Sequence, residues 1–131
     1  MTEHEMYMQI ADYMRYQYPD VIYRFDLAAD LKLSIGQAAK HKRLQRRRGY
    51  PDLFIAFVRS LGDRYYHGLF LEIKRPDVKI YKKNGELVAN SHIREQAAVL
   101  DELRKCGYKA EFACGFDEAK KIIDEYLGDP A

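Results

Sequence analysis

The sequence predicts an α/β domain, a mixed central sheet flanked by helices on both faces, and three observations carry that prediction. Helical and strand periodicities alternate along the chain in the order α-β-α-β-β-α-β-α. Two apolar strand segments, LFIAFV and LFLEIK, lie next to one another in the order and can pair at its centre. A chain of 131 residues with 47% hydrophobic and 32% charged residues has the size and balance of one globular domain with one real core.

The first element spans Glu3 to about Tyr18, where Met6, Ile10, Tyr13 and Met14 recur at three- and four-residue spacing. Pro19-Asp20 ends it, and Val21 to Phe25 reads as a strand. Ser34-Ile-Gly-Gln37 has capping-box spacing, so a basic helix is expected from about Ile35 to Arg48, stopped by Gly49. Leu53 to Val58 and Tyr65 to Lys74 read as two strands joined by a turn around Leu61-Gly62-Asp63. Asn84-Gly85 inside VKIYKKNGELVA marks either a small projecting hairpin or a flexible loop. Ser91 is a plausible N-cap for a helix to Cys106, with Ile93, Ala97, Leu100 and Leu103 facing inward and Gly107 closing it. Tyr108 to Cys114 is the last strand, and Asp117 to Leu127 an amphipathic final helix.

Composition excludes several classes of protein. The longest wholly apolar run, Leu53 to Val58, is far too short to span a bilayer. The acidic start MTEHEMYMQI lacks the positive head of a signal peptide, so a cytoplasmic location is expected. Cys106 and Cys114 have no zinc-ligand spacing and are expected to be reduced, buried, small hydrophobes. Lys40, Lys42, Arg43, Arg46, Arg47 and Arg48 place six positive charges within nine residues; without them the net charge of +2 becomes −4. One dense basic segment on an otherwise mildly acidic chain fits a local contact with nucleic-acid phosphate, and a solvated helix face or basic loop is the plainer reading.

The stretch LFLEIKRP carries the chemistry. On a strand, Leu69, Leu71 and Ile73 share one face, and Phe70, Glu72 and Lys74 share the other. Pro51-Asp52 opens the preceding strand, so pairing of the two strands would bring Asp52 towards Glu72. Converging carboxylates repel unless they are protonated or share a cation. An all-oxygen set with open positions suits Mg²⁺ or Mn²⁺. With a lysine on the same face, this is equipment for metal-assisted phosphodiester hydrolysis. Similar spacings occur at Pro19-Asp20 with Asp30-Lys32, at Asp77-Lys79 and at Glu118-Lys120, but none lies on adjacent apolar strands. Surface salt bridges on a sheet edge are the alternative.

The ordered blocks GYPDLFIAF, HGLFLEIKRP and HIREQAAVLDELRKCGYKAEFACGF resemble the VRR-NUC domain of the PD-(D/E)xK nuclease superfamily, and are similar to its small stand-alone phage and bacterial versions. The resemblance covers about Gly49 to Leu127 and implies a restriction-endonuclease-like core. It implies that Asp52, Glu72 and the Ile73 carbonyl would ligate metal, that Lys74 would activate water and stabilise charge on the phosphate, and that Gln96 would fix the water or a phosphate. It also implies a glutamate on the first helix. Glu3 shares the inward face with Tyr7, Ile10 and Met14, whereas Glu5 lies on the polar side, so Glu3 is the expected one. The basic segment, with Lys79, Lys82 and Lys83, would bind DNA backbone. The activity so implied is a Mg²⁺- or Mn²⁺-dependent endodeoxyribonuclease acting on branched DNA such as four-way junctions, or on flaps or nicks, as a homodimer in phage or bacterial recombination and repair. A catalytically idle nucleic-acid-binding module with the same fold is the alternative.

Overall fold

The computed structural model describes residues 2–26 and 32–128. Helix α1 (Glu3–Gln17) starts in a capping box: Thr2 Oγ1 accepts from the Glu5 N–H, and Glu5 Oε2 accepts from the Thr2 N–H at 2.7 Å. Its stripe of Met6, Ile10 and Met14 is fully buried. Strand β1 (Ile22–Phe25) follows at an edge of the sheet.

Helix α2 (Ile35–Arg43) has the predicted capping box between Ser34 and Gln37. It ends five residues before Arg48 and buries no residue of its own. Lys40, His41, Lys42 and Arg43 already fill its last turn, where cations suit the carbonyl end of the helix dipole. Extending it through Arg46–Arg48 would stack like charges at three- and four-residue spacing with no core contact in return.

Strand β2 (Leu53–Ala56) is shorter than the apolar run suggests. At Phe57 the chain turns back on itself, the Phe57 N–H bonding to the Ile55 carbonyl, and enters a two-stranded ribbon of β3 (Arg59–Leu61) and β4 (Arg64–Tyr66). The predicted turn at Gly62-Asp63 is therefore correct but belongs to this ribbon. The long strand expected from Tyr65 to Lys74 is broken at His67-Gly68, after which β5 (Leu69–Lys74) begins. Gly68 permits the close approach there, since a Cβ would stand 2.7 Å from the Phe54 ring.

The Asn-Gly segment forms a three-residue hairpin loop, with Lys82 N–H bonded to the Glu86 carbonyl and Gly85 in the left-handed region at φ 87°. An isolated bridge, Tyr81 to Leu87, and a bond from the Val88 N–H to the Ile80 carbonyl flank it. Helix α3 (Ser91–Lys105) is capped by Asn90, one residue earlier than expected, the Asn90 side chain accepting from the His92 and Ile93 N–H groups. Strand β6 (Lys109–Cys114) and helix α4 (Phe116–Leu127) complete the chain. Cys106 and Cys114 are free thiols, but Cys106 is exposed and Cys114 half-buried, because both sit at element ends and not in the packed interior.

The sheet runs β1-β2-β5-β6, antiparallel except for the parallel β5–β6 pair that the α3 crossover connects. Leu53, Ile55, Leu69, Leu71 and Ile73 pack on one face with residues of α1 and α4. Phe70, Ala110 and Phe112 pack on the other with Ile93 and Leu100 of α3. Every residue of β5 is buried, including Glu72 and Lys74. The second face of LFLEIKRP is thus neither solvent nor hydrocarbon core alone, but a polar floor at one end of an apolar strand. Among the described residues, no helix is long and apolar enough to cross a membrane.

Candidate active site

The β2–β5 ladder stops at Leu53 opposite Leu71. The same register carried one step further sets Asp52 opposite Glu72, but there the main chains no longer pair. The Ile73 N–H donates instead to Asp52 Oδ2, at 2.8 Å. In a strand, the N–H and C=O of one residue point to the same side. The Ile73 carbonyl is therefore directed into the gap that Asp52 opens between the two strands, while its side chain is fully buried in the core.

Glu72 is 3% exposed and Asp52 6% exposed, so both carboxyls lie in protein rather than water. Gln96 Nε2, from α3, donates to Glu72 Oε1 at 2.6 Å. Lys74 Nζ approaches the same oxygen at 3.7 Å, its side chain almost as buried. Among the described residues, Glu72 Oε2 and Gln96 Oε1 are buried with no hydrogen-bond partner. Two orphaned oxygens on hydrogen-bonded partners in one site are costly unless a ligand satisfies them.

Burial pushes the Asp52 carboxyl above its usual range, against the Ile73 N–H bond and the nearby Tyr7 hydroxyl, which favour its ionised form. Burial and then the charge of Asp52 raise the Glu72 carboxyl further, against the attraction of Lys74. The Tyr7 hydroxyl is buried beside Asp52, and desolvation with the neighbouring carboxylate holds its phenol strongly protonated. A pair of carboxyls that resists full ionisation is one that a divalent cation would discharge.

Glu3 is half-buried on α1 and acts on Asp52, Glu72 and Tyr7 through its charge. It lines one depression with Lys74, Arg75 and His92. Glu5, by contrast, is committed to the helix cap. Among the described residues, no three His, Cys, Asp or Glu side chains converge closely enough to form a metal cage. The oxygens that could hold a cation at the strand gap are the two carboxyls and the Ile73 carbonyl. That sparse set, with an orphaned carboxylate oxygen, fits a hard cation that keeps several of its own waters.

His92 has no ligand spacing in the sequence, yet its Nε2 lies 3.3 Å from Gln96 Nε2. In the Nδ1–H tautomer it accepts the second amide hydrogen, which leaves Gln96 Oε1 as the free end of the amide. The four-residue spacing of His92 and Gln96 on one helix was the sequence signal for this contact.

The basic segment runs directly alongside the site. Gly49 packs against α3 at Gln96, where a Cβ would meet the Gln96 and Glu95 main chain at 3.4 Å, and its φ is 84°. Arg48 lies 3.8 Å from Glu95. Lys40, Lys42, Arg43, Arg46, Arg47 and Arg48 are all exposed, as are Lys79, Lys82 and Lys83. The rival spacings assemble nothing comparable. Asp20 and Asp77 are exposed, Glu118 and Lys120 lie on α4, and Asp30 lies outside the described residues.

No protein-family model matches this sequence, and no curated protein matches it either. A solved structure of a VRR_NUC domain protein does match, with a TM-score of 0.69 and 26% sequence identity over 98% of this chain and 89% of that one. The chain has the VRR-NUC fold, and that fold points to a nuclease.

Proposed function

We propose that this VRR-NUC-fold protein is a divalent-metal-dependent endodeoxyribonuclease that hydrolyses phosphodiester bonds in branched or otherwise structured DNA. One observation carries the reading: Asp52, Glu72, Lys74 and Gln96 converge, buried, where the β2–β5 ladder opens, beside an exposed basic segment. A salt bridge on a sheet edge would need none of this burial, and a binding module would gain nothing from two carboxyls that resist ionising together.

Asp52, Glu72 and the Ile73 carbonyl would hold Mg²⁺ or Mn²⁺, with Glu3 acting on the same site from α1. The cation, when bound, would supply Lewis-acid activation of the phosphate and of water. Lys74 neutralises charge that builds on the non-bridging phosphate oxygens, and at 3.7 Å from Glu72 Oε1 its ammonium also offsets the charge of the carboxylate pair. The free Gln96 Oε1 accepts a hydrogen of the attacking water, because the amide nitrogen is held by Glu72 and His92. Asp52, tied to the Ile73 N–H, keeps the strand gap open. Lys40, Lys42, Arg43 and Arg46–Arg48 hold the backbone next to the site, Lys82 and Lys83 extend the basic surface, and these contacts set affinity without reading sequence.

A four-way junction is two-fold symmetric, so paired incision requires two sites, which a homodimer supplies. The test is cleavage of end-labelled duplex, single-stranded, flapped and four-way-junction DNA with Mg²⁺ and with Mn²⁺, alongside the oligomeric state in solution. Symmetric paired nicks on the junction by a dimer select the resolvase form of the reading. Cleavage of flaps alone removes that form, and no metal-dependent cleavage of any substrate removes the nuclease reading itself.

A further inference from the structure

A cavity of ≈ 560 Å³ opens on the other side of Asp52, between the basic segment, the β1–β2 edge and α3. Its apolar walls include Leu44, Tyr50, Phe54 and Leu103, and Arg46 and Arg47 line the same space. Tyr50 is 50% exposed and Phe54 half-buried. Both pack on Phe70, at centroid distances of 5.7 and 4.5 Å, so the aromatic wall is anchored in the core beneath α3. Leu44, in contrast, is 75% exposed on the rim that the basic segment forms.

We infer that this cavity receives an unstacked nucleobase of the DNA strand whose phosphate lies at Asp52; the inference rests on the nucleic-acid reading of that site. The volume falls in the range of cavities that bury small organic ligands. A base offers flat apolar faces for the Tyr50 and Phe54 rings, and its edge carries donors and acceptors that Gln45 and Glu102, also in the lining, can meet. Arg46 and Arg47 complement the phosphates on either side of that base, and guanidinium planes also stack on bases. Continuity favours this occupant over a free apolar metabolite, because Asp52 belongs to both the cavity wall and the carboxylate pair. A nucleotide placed with its phosphate at the pair carries its base one sugar away.

The consequence is a basis for substrate choice. A paired, stacked base must be pulled from the duplex before it can enter, whereas a base at a branch, flap or nick is already partly free. DNA with an unpaired nucleotide beside the bound phosphate is therefore preferred over intact duplex.

The experiment uses metal-free protein and a flapped duplex with one 5-iodouracil, either at the branch nucleotide or within a paired arm. Binding is followed by fluorescence anisotropy. Irradiation should cross-link the branch probe, and not the arm probe, to Tyr50 or Phe54, as mapped by mass spectrometry. In a Cys114→Ser background, the same DNA should slow iodoacetamide alkylation of Cys106, an exposed thiol on the cavity wall. Leu44→Trp, which fills the rim from an exposed position, should reduce the flap-over-duplex affinity ratio roughly tenfold, the scale of one base–aromatic stack, and leave duplex affinity unchanged. Saturated binding without the Tyr50 or Phe54 cross-link, or an unchanged ratio in Leu44→Trp, overturns the inference while Mg²⁺-dependent cleavage keeps the nuclease reading. The specific cross-link without any cleavage supports the cavity and removes the nuclease. Absence of DNA binding overturns both.

Discussion

Gln96 Nε2 donates a 2.6 Å hydrogen bond to Glu72 Oε1, joining the middle of α3 to the buried polar end of β5. The bond orients both partners, since it consumes one carboxylate oxygen and turns the amide oxygen away from it. Gln96→Ala should lower cleavage on the order of 10–100-fold, the usual range for groups that orient a metal ligand. His92→Ala should act in the same direction but less, because it frees only the second amide hydrogen. Single-turnover rates on one flapped or junction substrate check this. Equal rates for wild type and Gln96→Ala would show that the amide has no part in the reaction.

Lys74 and Asp52 separate chemistry from binding. Lys74→Ala removes a cation whose closest carboxylate oxygen is 3.7 Å away and should cost on the order of 10²–10³ in kcat. Asp52→Asn retains the shape of the side chain and its acceptor for the Ile73 N–H, but loses a charge that a divalent ion requires. Both variants should bind DNA with near wild-type affinity in metal-free buffer. Cleavage that persists in either, or in EDTA, would contradict a metal-assisted mechanism.

The raised carboxyls make the metal-free fold sensitive to alkali. Asp52 and Glu72 hold protons in the folded state at pH values where the unfolded chain has released them. The folded state therefore binds more protons in that window, and stability falls as pH rises above the ordinary carboxylate range of about 4. The contribution is fully present below the unfolded values and is lost through the raised folded ones. A divalent cation discharges the pair, so the Mn²⁺-induced rise in Tm should be larger at about pH 8 than at about pH 5. Asp52→Asn should flatten both trends. Thermal melts across that pH range, with and without Mn²⁺, test the claim; a pH-independent Mn²⁺ effect would refute it.

The basic segment predicts a salt dependence that can be counted. Each phosphate neutralised on duplex DNA contributes about −0.9 to the slope of log K against log salt. Arg46→Ala with Arg47→Ala should flatten that slope by up to about 2 and weaken binding of both duplex and flapped DNA. Arg48→Ala should do less, because its guanidinium already lies 3.8 Å from Glu95. An unchanged slope in the double variant would move the phosphate contacts elsewhere.

How far the sequence could be read depended on whether the governing interaction was local. The Ser34–Gln37 box and the Gly107 stop were legible because a few adjacent residues decide them. The Asp52–Glu72–Lys74 constellation was legible because strand alternation and one pairing suffice to bring it together. Thr2-Glu3-His4-Glu5 carries the same capping signature, which holds Glu5 at the helix start while Glu3 lines the depression beside Lys74. The β3–β4 ribbon was not legible. Phe57 and Val58 have strand-like character but end up 38% and 54% exposed, because the chain turns at Phe57, whose carbonyl accepts from Tyr126 of α4, into a ribbon that packs on α4, a contact no local preference reports. The early end of α2 was likewise a matter of absent tertiary contact, which no propensity reports.

Asp124 anchors α4 to α1 far from the strand gap in sequence, and its loss should be felt as stability alone. Its Oδ1 accepts from Tyr13 at 2.5 Å and from Tyr18 at 2.7 Å, and Lys120 Nζ lies 3.1 Å from Oδ2. Burial alone would raise this carboxyl, but the two phenols and the ammonium outweigh it and hold the carboxyl below its usual range. A depressed folded value means stability that is present above the unfolded value and lost as pH falls through the folded one. Asp124→Ala leaves the Tyr18 hydroxyl without its acceptor and should destabilise by about 1–3 kcal/mol at neutral pH, with a smaller deficit in acid. Tyr18→Phe removes a single donor and should cost about 1 kcal/mol. Urea unfolding at neutral and acidic pH measures both, and DNA cleavage per folded molecule should stay at the wild-type rate. A large loss of cleavage in folded Asp124→Ala would mean that this network sets the position of α1, and with it Glu3.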